Sequence, residues 1–157
     1  MDSLCLSMLL FQTLSLSFCY MPKTSSELTA PILLGFFVLF VGFCIGSWFD
    51  LYVRFSSFDT LMHFLGGLTV AFFFARYFKD ASPHLSAFKK ILFLIASACL
   101  IGVLWECAEY TSSVLSPIYA PLISNYFYIG TLADTLTDLV ADMLGGFSFA
   151  LLWITKK

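Results

Sequence analysis

Three aspartates, Asp134, Asp138 and Asp142, recur at every fourth residue in the run DTLTDLVADMLGG near the end of the chain. In a helix this spacing stacks them on one face, and the same step continues into Gly146 and Ala150. The flanking residues are apolar enough to lie in a bilayer. A carboxylate near the bilayer centre costs at least ~2.5–3.5 kcal/mol, and such groups usually face a bundle interior or a wet cavity. Each must be neutralised by a proton, by a cation or by water. Asp59 with His63, and Glu106 with Glu109, add two more acid-bearing helical turns. One imidazole among many carboxylates suits Mg, Mn, Ca or Fe better than a Cys-rich zinc site would. The metal-ligand candidates are therefore His63, Glu106, Glu109, Asp138 and Asp142, with Asp59 and Asp134 as further polar site residues. A divalent cation there could activate water or polarise a phosphoryl oxygen. Without one, His63 and a carboxylate would serve as general acid and base. In both chemistries the catalytic candidates are His63, Glu106 and Asp138, and Arg54 is the candidate clamp for a substrate phosphate. Structural roles compete with these. Asp134 also suits a helix first turn, where the dipole favours a carboxylate. His63 with Asp59 also fits a hydrogen-bonded structural pair, and Glu109 an interfacial one.

The elements that must position these groups are membrane helices. The 157 residues are 60% hydrophobic and 11% charged, against roughly 25% charged in a soluble domain. Mean hydropathy is +0.92. An all-α, polytopic transmembrane bundle of one domain follows. Strong spans are expected at about residues 31–53, 58–78, 91–112 and 132–154, and a weaker one at 4–20, which is at the short limit for crossing a bilayer. A basic n-region is missing ahead of residues 4–20, so a cleaved signal peptide is not expected. Gly42 and Gly46 have the spacing that lets another helix approach. Residues 113–130, with Pro117, Pro121 and four aromatics, read as an interfacial loop, and Thr131 or Ala133 as the cap of the last helix. The five cysteines all lie in apolar segments without CxxC spacing and read as free buried thiols. No basic patch suggests nucleic acid.

The distribution of Lys and Arg orients the spans. With five spans, Lys23, Arg76, Lys79, Lys89, Lys90, Lys156 and Lys157 share one side, and Arg54 alone lies on the other. The positive-inside rule makes the shared side cytoplasmic, with the C-terminus inside. Asp59, His63, Glu106, Glu109 and the aspartate stripe then fall in the outer leaflet. At ~1.5 Å per residue, His63 and Asp138 lie roughly 7–11 Å below their helix starts and Asp142 about 16 Å. The other ends of the same stripes are small: Gly67, Ala71 and Ala75; Ala98 and Gly102; Gly146 and Ala150. Three helices are therefore expected to close tightly in the inner half and to leave an acid-lined cleft in the outer half.

Three motifs occur in a recognisable order: F-D-x-x-x-H-F-x-G-G from Phe58 to Gly67, W-E-x-x-E from Trp105 to Glu109, and G-T-x-x-D-T-x-x-D-x-x-x-D-x-x-G-G from Gly130 to Gly146. Together they resemble a bacterial inner-membrane family, the YjdF type, and more distantly VanZ-like proteins, which are associated with glycopeptide tolerance. The resemblance covers roughly residues 58–150. Relative to the VanZ pattern, Thr60 stands in place of Lys, Glu109 in place of Gln and Asp142 in place of Asn. These departures make the cleft more acidic. The resemblance implies the inner membrane and the site more than a reaction. Three readings stand at this stage. The first is a divalent-metal-dependent enzyme acting on a lipid or envelope precursor. The second is a proton- or cation-coupled carrier. The third is a non-enzymatic accessory subunit. Membrane lipids are the expected surroundings, with a second copy or a partner membrane subunit as the protein partner.

Overall fold

The computed structural model describes residues 26–81, 84–119 and 131–155, and among them every regular element is helical. Helix α1 runs from Ser26 to Phe40 and continues as a π-helical segment, Val41–Gly46. A single turn, α2, spans Leu51–Arg54. Helices α3 (Phe58–Tyr77), α4 (Ala87–Tyr119) and α5 (Leu132–Thr155) form the body of the protein. Among the described residues, four stretches are long and apolar enough to cross a membrane: Ser26–Gly46, Phe58–Tyr77, Ala87–Leu115 and Leu132–Thr155. Their outward faces carry Leu33, Phe36, Leu92, Leu104, Val140 and Leu152, all exposed. In water that surface would drive aggregation; in a bilayer it meets lipid.

Helix α5 is the centre. It packs against both α3 and α4, which also touch each other, while α1 leans on α3. Close packing is possible because glycines stand at the crossings. A Cβ on Gly67 would run into the backbone of Asp142, and one on Gly145 into the backbone of Phe64. A Cβ on Gly146 would lie 2.8 Å from that of Ala98. Without a hydrophobic drive between helices in lipid, such backbone approach is what supplies the contact energy. Ala71, Ala75, Leu94 and Ala150 complete a dry core, with Phe74, Ile91, Phe149 and Trp153 packed around it. The expected close packing of the small-residue half is therefore present.

Several boundaries differ from the sequence expectation. The first strong span begins at Ser26 rather than Pro31, and Pro31 is buried inside it. Its π-helical part ends at Gly46 and helical backbone at Trp48, where a turn containing Asp50 at φ 52° reverses the chain; Asp is among the residues that tolerate this region. Gly42 and Gly46 receive side chains, not a helix backbone. Tyr52 folds back over both, and Phe58 meets Gly46 and the Tyr52 ring edge-on, with centroids 4.9 Å apart. Helix α4 continues to Tyr119, through the first residues assigned to a loop. Apolar residues extend its pattern past 112, and Pro117 removes only one backbone bond near its end. Cys44, Cys99 and Cys107 are free, as expected, but Cys44 and Cys107 are exposed and Cys99 is half-buried rather than buried, while Cys5 and Cys19 lie outside the described residues. The weak span at 4–20 lies outside the described residues.

Candidate functional site

Helix α3 brings Asp59 and His63 to its first turns, α4 brings Glu106 and Glu109 to its later ones, and α5 brings the aspartates down from its start. The start of α5 is set by Thr131. Its hydroxyl accepts the Asp134 N–H at 3.3 Å and its carbonyl the Thr135 N–H at 3.1 Å. This is an N-cap with an acid at the third helical position.

His63 is the hub. It is buried, with Nδ1 3.1 Å from Asp142 Oδ2 and Nε2 3.6 Å from Glu106 Oε1. Glu106 in turn accepts a hydrogen bond of 2.9 Å from the Thr135 hydroxyl. The result is a polar chain, Asp142–His63–Glu106–Thr135, that crosses all three body helices. Asp138 is 2% exposed, and its Oδ1 has no hydrogen-bond partner among the described residues. Thr60 is its hydrogen-bonding neighbour on α3, as Trp105 is for Glu109 on α4.

Among the described residues, two overlapping sets of potential ligand atoms result. Asp59, His63 and Asp138 have donor atoms within 4.8 Å of one another, and so do His63, Glu106 and Glu109. Both sets contain His63, and both consist of oxygen donors around one nitrogen. Asp142 stands behind His63, held between helices, and belongs to neither set.

A step of four residues advances about 400° around a helix, about 40° beyond a full turn. The aspartate stripe therefore rotates as it descends. Asp134 is exposed, Asp138 faces α3, and Asp142 lies between α3 and α4. Asp134 fits its role in the first turn of α5 and is not part of either ligand set. Arg54 lies exposed on α2, just before α3, and among the described residues no salt bridge involves it.

Tyr52 was not anticipated as part of this site. Although 43% of the residue is exposed, its hydroxyl turns toward Gly42. Desolvation, with the nearby Asp59 and Glu109 charges adding to it, pushes its pKa up to about 12. The signal in the sequence was the Gly42/Gly46 pair, which needs a large partner, but nothing local says which one. Thr135 carried a clearer signal, because it lies three residues before Asp138 on the same helical face.

A family model described as a predicted membrane protein, DUF2238, matches residues 3–157. The chain belongs to the DUF2238 family. An uncharacterised protein of Thermotoga maritima is 27% identical over 120 residues, which is 76% of this chain and 59% of that protein. The chain thus matches about three-fifths of the length of this curated relative. No solved structure matches it. For this DUF2238 protein, membership supports an integral membrane protein, in agreement with the four long apolar helices.

Proposed function

We propose that this DUF2238 protein binds a divalent cation within the membrane, held by His63, Glu106 and Glu109 together with Asp59 and Asp138, and that the site acts on the phosphate of a lipid or envelope precursor. Asp138 carries the proposal. It is an almost fully buried carboxylate with one oxygen that has no partner among the described residues, and it faces Asp59 and His63. Leaving a buried acceptor unsatisfied costs about 1–3 kcal/mol, and more for a charged group. Asp59, Glu106, Glu109, Asp138 and Asp142 also share one imidazole. A divalent cation, Mg, Mn, Ca or Fe, answers both problems. The donor chemistry fits, since oxygen ligands with one imidazole suit such ions.

Asp142 supports the same reading. A carboxylate that accepts Nδ1–H of a histidine fixes its tautomer and leaves the Nε2 lone pair for a ligand. Bound there, the ion would supply Lewis-acid activation of a water or a phosphoryl oxygen. The protein side chains would do the rest. Glu106, held by Thr135, is placed beside Nε2 to take up or return a proton. Arg54, exposed ahead of α3, is available to a phosphate. The basic-residue count supports an inner-membrane orientation with the site on the outer side and the C-terminus in the cytoplasm. Within the family, the order of the three motifs supports the YjdF type, and the VanZ likeness is confined to motifs.

One observation favours a second reading. Both imidazole nitrogens face carboxylates, so Asp142–His63–Glu106 could pass a proton instead of holding a metal. A carrier would also need a path through the other half, where Gly67, Gly145 and the alanine core pack the helices together.

Elemental mass spectrometry of the detergent-purified protein tests the metal, with His63→Ala and Asp138→Asn beside it. Near-stoichiometric metal that both substitutions abolish is the expected result and would justify a screen of lipid-phosphate hydrolysis. Absence of metal in the unsubstituted protein after reloading with Mg, Mn, Ca and Fe would overturn the proposal in favour of the proton path.

A further inference from the structure

The bundle is polarised. Its acids gather where α3 and α5 start, and its basic residues gather at the opposite end. There α3 ends, α4 begins and α5 ends. Among the described residues this end carries Arg76, Lys79, Lys89 and Lys90 against Glu27 and Asp80. Glu27 is engaged with Lys79 at 2.9 Å.

A groove opens at this end between the three body helices. Phe74 of α3, Phe78 just past its end, Phe93, Leu94 and Lys90 of α4, and Trp153 of α5 line it. Its walls are stiff, because the rings brace one another. Phe78 meets Phe93 edge-on at 5.4 Å and stacks on Phe74 at 5.9 Å. Trp153 stacks on Phe149 at 5.9 Å. The Arg76 guanidinium lies 5.1 Å from the Trp153 ring and 5.6 Å from that of Phe72. Its Nε is buried, with no hydrogen-bond partner among the described residues. Ser86 accepts the Lys89 N–H at 3.4 Å as α4 begins, and a helix start favours an anion nearby.

We infer that this groove is a binding site for an anionic phospholipid. One acyl chain lies along Phe78 and Phe93. The headgroup phosphate lies at the rim, where Lys90 supplies positive charge and Arg76 adds its own across the Trp153 indole. Charge complementarity selects this occupant. An apolar channel with a basic rim at a membrane interface matches a lipid that has a long chain and a negative head, and a zwitterionic lipid lacks the net charge to profit from the rim. The site is separate from the acid cluster and does not depend on the metal reading.

Trp153 is the natural reporter. In a Trp48→Phe, Trp105→Phe background it is the sole tryptophan, since the chain has three. Its fluorescence is followed in nanodiscs as phosphatidylglycerol or phosphatidylcholine, brominated near the headgroup, is titrated in. Quenching by phosphatidylglycerol is expected to saturate at low mole fraction, and quenching by phosphatidylcholine to rise only in proportion to its amount. Lys90→Gln and Arg76→Gln should each weaken the phosphatidylglycerol effect about five-fold, as befits one cation near an anionic surface. Equal quenching by the two lipids, or none by either because the chain itself covers the groove, would overturn the inference. So would a full phosphatidylglycerol preference in the double variant, or displacement of the lipid by inorganic phosphate. Native mass spectrometry of the unsubstituted protein gives an answer that does not depend on the folding of any variant: retained phosphatidylglycerol and stripped phosphatidylcholine support the site, and equal retention overturns it.

Discussion

The carboxylate of Asp142 fills the volume that a side chain at Gly102 would need. A Cβ on Gly102 would collide with Asp142 Oδ2 and come within 2.9 Å of its Cγ. The absence of a side chain on α4 is thus what lets α5 aim an acid at His63 on α3, where it is 3.1 Å from Nδ1. Neither residue makes sense alone.

Gly102→Ala should therefore both destabilise the bundle and disturb His63. Overpacking of this kind costs about 1–3 kcal/mol. A lower melting temperature in detergent, with metal loading reduced in parallel, is the expected outcome. An unchanged melting temperature would mean that α4 can withdraw from α5 at no cost.

Asp138→Asn should separate stability from binding. The metal-free protein should be as stable as the unsubstituted one or more so, by up to about 1–3 kcal/mol, because a buried unpaired charge is removed. Stabilisation by added divalent cation should vanish. Thermal melts with and without cation check both halves. A less stable metal-free variant would show that the carboxylate is already satisfied.

Asp142→Asn should weaken divalent-cation affinity about 10–100-fold without removing a ligand, as loss of the partner behind a metal-bound histidine does. The imidazole tautomer is the independent readout. Nitrogen-15 NMR of labelled histidine, recorded at a pH where the imidazole is neutral, should show Nδ1–H in the unsubstituted, metal-free protein and a shift of population toward Nε2–H in the variant. Tautomer populations that do not respond would remove Asp142 from this role.

Tyr52 should titrate late. Its pKa is raised to about 12 by desolvation first and by Asp59 and Glu109 next. The folded state keeps this proton where the unfolded chain has begun to lose it. The stabilisation is therefore complete below the unfolded value near 10, and it is lost as pH rises from there toward 12. The difference in phenolate absorbance between the unsubstituted protein and Tyr52→Phe isolates this group from the other tyrosines. Glu109→Gln should lower its midpoint. A midpoint near 10 in the unsubstituted protein would place the hydroxyl in open water.

Much of this site was legible in the chain. The i, i+4 spacing of Asp59 with His63, and the four-residue steps into Gly67 and Gly146, are local patterns. They correctly place acids at one end of three helices and small residues at the other. The division of labour among the aspartates was not legible. Their common spacing suggested one face, but the drift of the helical repeat sends Asp134 to the surface, Asp138 toward Asp59 and Asp142 behind His63. Tyr52 was hidden for another reason. Its place over Gly42 and Gly46 depends on a reversal at Asp50; Asp50 and Arg54 mark a short turn in the sequence, but not that it carries the Tyr52 ring back over the two glycines.

By itself, the sequence determined that this is a helical membrane protein with an acidic end and a basic end. Apolar runs long enough to span a bilayer can satisfy their backbone only as helices, and the position of a charge along such a run sets its depth. The tertiary structure alone decided which acids meet. That depends on how each helix is rotated about its axis, and the rotations are set by Gly67, Gly102 and Gly145 through contacts between residues far apart in the chain. His63 and Asp142 are 79 residues apart. Their pairing follows from the backbones of α3 and α5 coming close enough to touch.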